Sequence, residues 1–102
     1  MKNRIYWSSI EYEYDKRESN LNGGFVYVFI KAADVKDALE KILKEFENEK
    51  IIPFDIEFIK PYDSKLEWKN QEETKYYFEL YSMAKKSAKV IFDKFYAYEK
   101  IK

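Results

Sequence analysis

One hundred and two residues make a single domain, 1–102, long enough to bury a modest core without staples. The chain has no cysteine and no histidine, which excludes disulfides, thiol chemistry, Ser–His or Cys–His catalysis within the chain, and the commonest metal ligand. Its 19 cations balance 19 anions, and only Arg4 and Arg17 are arginine, so no net field draws nucleic acid or an anionic membrane toward it.

Taken in chain order, Arg4 to Tyr14 alternates as a strand should. Tyr6, Ser8, Ile10, Tyr12 and Tyr14 fall on one face; Ile5, Trp7, Ser9, Glu11 and Glu13 fall on the other. Asp15 to Gly24 is polar and ends in Asn22-Gly23-Gly24, a turn composition that predicts a hairpin with a long connection. The second strand, Phe25 to Lys31, is apolar on both faces, the mark of a strand covered on both sides. Asp34 then suits a helix N-cap, and Asp37 places a negative charge in the first turn. Val35, Ala38, Leu39, Ile42, Leu43 and Phe46 form the buried stripe of this helix, which should stop near Glu49. Ile51 to Lys60 alternates again, with Ile52, Phe54, Ile56 and Phe58 expected inward and Asp55 and Glu57 outward. Pro53 makes it an edge strand or marks its start, and Pro61 closes it.

Tyr62 to Lys69 reads as a polar connector with room for a short fourth strand around Leu66 and Trp68. Asn70 and Glu73 then open a last helix with a capping-box pattern. Tyr77, Tyr81, Ala84, Ala88, Ile91, Phe95 and Tyr98 follow at heptad spacing, which predicts one helix of roughly 28 residues, about 42 Å long. A body this small is only about 26 Å across, so the helix should overhang it. The expected fold is α+β. It is a small β-β-α-β-(β)-α sandwich whose three- or four-stranded, mostly antiparallel sheet carries one short helix and one long C-terminal amphipathic helix. The strand order is 1-2-3 or 2-1-3, and the two-sided apolarity of the second strand favours 1-2-3. The order of elements resembles a truncated ferredoxin-like fold, a likeness of architecture that implies no function.

No motif carries chemistry. Glu11, Glu13, Asp55 and Glu57 would cluster if their strands are neighbours. Four carboxylates can hold a hard cation, or they can simply keep a sheet face wet and unaggregated. The second explanation needs no special geometry, so no metal and no cofactor is expected, and no enzyme. A carboxylate- and metal-dependent enzyme is the least favoured alternative. The positive signal is a surplus of rings, 10 Tyr and 8 Phe, more than a core of this size requires.

The expectation is therefore a non-catalytic protein-binding module, among whose forms is a small inhibitor of immunity or anti-defence type that occludes a partner protein. Its partner-binding residues would be Trp7, Tyr27, Phe29, Tyr76 and Tyr96. Self-association as a homodimer would run through Tyr77, Tyr81, Ala84, Ala88, Ile91 and Phe95 on the overhanging helix. The alternative is a nucleic-acid-binding module using the aromatic sheet face with Lys85, Lys86 and Lys89. The longest apolar run, Phe25 to Ile30, is too short to span a membrane, and no apolar leader follows Lys2 and Arg4, so a cytoplasmic setting is expected.

Overall fold

The computed structural model describes residues 3–14, 23–93 and 96–97. They form an α+β domain with strands β1 (Arg4–Tyr14), β2 (Gly24–Ala32), β3 (Ile51–Pro61), β4 (Ile91–Phe92) and β5 (Tyr96–Ala97), and helices α1 (Val35–Asn48) and α2 (Gln71–Lys85). The strands lie in the order β3-β1-β2-β4, with β5 also on β2, and every pairing is antiparallel. The central position of β1, between β2 and β3, corrects the favoured 1-2-3 order. Two-sided apolarity showed that both faces of β2 are covered, as they are. Faces and edges are independent, however, and β2 gives one edge to β1 and the other to β4 and β5. β2 and β3 both run antiparallel to β1, so α1 connects them across it.

Both helices begin where their caps predict. Asp34 Oδ1 accepts from the Asp37 amide at 2.8 Å, and the Asp37 carboxylate accepts in return from the Ala33 amide at 2.9 Å. The Ala33 amide and the Lys41 ammonium, 3.1 Å away, hold the Asp37 carboxyl below its ordinary range. Asn70 Oδ1 accepts from the Glu73 amide in the same way. α1 buries Ala38, Ile42 and Phe46 against Tyr6, Ile10, Tyr12, Val26, Val28 and Ile30 on one sheet face. α2 buries Tyr77, Leu80 and Ala84 against Ile5, Trp7, Phe29 and Tyr62 on the other.

The last helix ends at Lys85, not near Tyr98. The Lys86 amide closes a tight final turn on the Met83 carbonyl, and the Ser87 hydroxyl accepts from the Lys89 amide to bend the chain away. Val90, Ile91 and Phe92 then alternate between the two cores: Val90 and Phe92 on the α1 side, Ile91 on the α2 side. β-branched and aromatic residues fit such a pleated strand better than a helix continued into solvent. The fourth strand is therefore β4. Tyr62–Lys69 is an irregular segment, tied down by the Tyr62 amide donating to the Ile5 carbonyl.

β3 is an edge strand, as Pro53 implies, but its alternation is broken twice. Ser9 pairs with Phe58 while Ile10 pairs with Ile56, and Glu11 pairs with Asp55 while Tyr12 pairs with Pro53. Glu57 and Phe54 are the extra residues of two bulges. Ile56 consequently reaches the α1-side core and Phe58 the α2-side core. Phe54 and Ile52, expected inward, are 62% and 50% exposed.

Candidate functional site

The expected aromatic surface is mostly interior. Trp7 is buried inside a cage of rings from Tyr27, Phe29, Phe58, Tyr62 and Trp68, at centroid distances of 4.9 to 6.2 Å. Lys60 Nζ stands over the rings of Phe58 and Trp7. Phe29 is fully buried. Trp68 stacks on Tyr77 at 4.0 Å and donates to the Tyr62 hydroxyl. Tyr27 and Tyr76 are half-buried, and the side chain of Tyr96 lies outside the described residues. Burial raises the pKa of the Tyr27 hydroxyl, with the charges of Glu57, Asp93 and Glu73 adding to the effect. α2 covers the Trp7 and Phe29 part of this sheet face, where the nucleic-acid alternative places its stacking platform.

The self-association residues do not form one seam. Tyr77 and Ala84 are buried on the sheet of their own chain, and Tyr81 packs on Tyr62. Ala88 sits in the bend, Ile91 is in β4, and Phe95 lies outside the described residues. The seam therefore supplies no ground for a homodimer, because the helix that was to overhang the body stops at Lys85.

Among the described residues, no helix packs on the half of the α2-side face away from α2. On β1, Glu11 and Glu13 share the face of Trp7. Register places Phe25 of β2 and Asp55 of β3 on either side of Glu11, and Ile52 beside Glu13. Glu57 adds a carboxylate at the bulge, accepting from the Ser9 hydroxyl at 2.8 Å. Like charges directly across a ladder, as Glu11 and Asp55 are, disfavour the sheet. Neither of them, nor Glu13, has a cation partner among the described residues. Phe25 is 43% exposed beside Glu11, Ile52 is exposed beside Glu13, and the exposed Phe54 adjoins Asp55 in the chain at the bulge. Among the described residues no three acidic side chains are placed to hold a metal ion.

The sequence offers Glu11, Glu13, Asp55 and Glu57 as a cluster only on condition that β1 and β3 are neighbours, which the favoured 1-2-3 order does not make them; the register that sets Glu11 opposite Asp55 comes from the structure. The exposure of Ile52 and Phe54 was not legible, because the bulges that turn them out leave no mark in alternation.

At the border of this patch lies Asp93, only 5% exposed. Its amide donates to the Tyr27 carbonyl at 3.0 Å, and its Oδ1 accepts from the Tyr27 amide at 3.1 Å, so the side chain completes the ladder where β4 ends. Oδ2 faces the Tyr77 hydroxyl at 3.4 Å. Burial pushes the Asp93 carboxyl up to about 7, against the opposing pull of those hydrogen bonds. A small cavity of 210 Å³ opens between Asp93, Glu57, Ser9 and Tyr27. A buried acid of this kind is a recognised sign of function, but here each of its oxygens already has a structural donor.

Compared with protein-family models, with characterised proteins and with solved structures, the chain finds no match in any of the three. No helix among the described residues is long and apolar enough to cross a membrane.

Proposed function

We propose that the protein is a non-catalytic protein-binding module that docks through the open, acidic half of its sheet onto a basic surface of a partner protein. The observation that supports this is the row Phe25–Glu11–Asp55 with Glu13, Ile52 and Phe54: carboxylates side by side with no cation partner among the described residues, and exposed apolar side chains next to them. Such a row disfavours the isolated sheet, and a cationic partner surface would relieve it. The rings supply contact area at little rotamer cost, and the carboxylates supply steering and register. A binder of this kind acts by covering what it binds, so inhibition by occlusion is its natural mode. The absence of cysteine suits a reducing compartment such as the cytoplasm.

The test is affinity capture from the source cells with three proteins: the wild type, Glu11→Lys/Asp55→Lys, and Phe25→Ala/Phe54→Ala. The expected partner is recovered by the wild type at about 0.1 M salt. It is lost on charge reversal and weakened by at least about 2 kcal/mol on ring truncation, with melting temperatures preserved. A partner retained equally by both variants would place the interface elsewhere and refute the proposal.

A further inference from the structure

A second site lies at the opposite end of the α2-side face, independent of the acidic row. A hollow of 390 Å³ is floored by the buried Ile5 and Tyr62 and walled by Tyr81, and Arg4, Lys31 and Lys85 line it without a single carboxylate. The three cations come from three elements: the start of β1, the end of β2 and the end of α2. None has a carboxylate partner among the described residues.

Part of this charge has a structural use. Lys31 Nζ donates to the Lys85 carbonyl at 3.1 Å, capping a helix terminus that carries roughly half a negative charge. That leaves well over two positive charges uncompensated around one concave space. Lys85 Nζ also sits 5.6 Å over the Tyr81 ring, which holds it at the rim of the hollow.

We infer that this hollow binds a compact oligophosphate, the diphosphate of a small molecule, with Arg4 as the forked donor and Lys31 and Lys85 as flanking point charges. Guanidinium suits two phosphate oxygens at once, and ammonium groups neutralise the remaining charge. The volume is that of a small-ligand pocket, and its closed floor favours a discrete ligand over an extended backbone. A site assembled from three distant segments has no motif, which is why the sequence led to no expectation of a phosphate ligand.

Calorimetric titration with pyrophosphate, a nucleoside diphosphate and a single-stranded oligonucleotide tests it. Pyrophosphate and the diphosphate should each bind one to one. Arg4→Gln and Lys85→Gln should each weaken that binding at least about tenfold without lowering the melting temperature. Lys44→Gln, on the wet face of α1, should change nothing. The inference is overturned if pyrophosphate gives no saturable heat, or if both lining variants bind as the wild type does. It is equally overturned if the oligonucleotide binds while pyrophosphate is inert, which would make the hollow part of a nucleic-acid surface.

Discussion

Asp93→Asn should stabilise the protein in mild alkali and do little in mild acid. The carboxyl has an ordinary value of 3.8 and is pushed to about 7 in the fold, so the folded state holds its proton over a range where the unfolded chain has released it. Between those values stability falls as pH rises, because the unfolded state binds fewer protons than the native one. Above about pH 7 the burial penalty is fully present, and below about pH 4 it is gone. Three pKa units at about 1.4 kcal/mol each set the penalty at about 4 kcal/mol, an upper figure, since the Tyr27 amide and Tyr77 hydroxyl adjust to the charged form. Asparagine keeps the acceptor for the Tyr27 amide and can donate to the Tyr77 oxygen. Urea unfolding followed by tryptophan fluorescence at about pH 4.5 and about pH 8 would measure the difference between the two proteins. Glu57, Glu73 and every other titrating group are common to both, so their slopes largely cancel. The expected result is a gain of about 2 to 4 kcal/mol for Asp93→Asn at the higher pH and less than about 1 kcal/mol at the lower. A variant destabilised equally at both values would refute the reasoning, and would mean that the carboxylate is better solvated or better paired than its position implies.

Two further outcomes follow from the packing. Trp7→Ala removes the hub of the ring cluster and should lower stability by about 3 to 5 kcal/mol in the same unfolding assay, as a core residue does. Gly23 has φ of +130°, and a Cβ there would run into the Tyr12 carbonyl oxygen. Gly23→Ala should therefore cost at least about 2 kcal/mol, read from the shift in urea midpoint.

Local signals carried β1, α1 and both helix caps, because alternation, the 3.6-residue stripe and Asx capping each act within a few residues of their cause. The end of α2 was illegible for the opposite reason. Heptad spacing through Ala88, Ile91 and Phe95 is a one-dimensional coincidence, and Ile91 and Phe92 become a strand because β2 has an open edge to receive them. The candidate surface was half visible. Glu11, Glu13, Asp55 and Glu57 were readable as a cluster, yet the apolar residues among them depended on two bulges in β3 that only pairing reveals. Asp93 drew no notice because a lone acid in a predicted helix reads as wet. It is buried because it finishes a ladder between residues 66 apart in the chain.

The placement of β1 has a kinetic consequence. It is the hub of the sheet, yet it precedes both its neighbours in the chain. β2 follows it directly in the chain, but β3 joins it only across α1, with pairs such as Ser8 and Ile59 spanning half the chain. The free edge of β2 is closed last in sequence, by two strands of two residues each. Long-range pairing on the β3 flank of the central strand makes for slow, late-locking folding. In native-state amide exchange, β1 and β2 should be the last to open, and the β4–β5 margin should exchange before them.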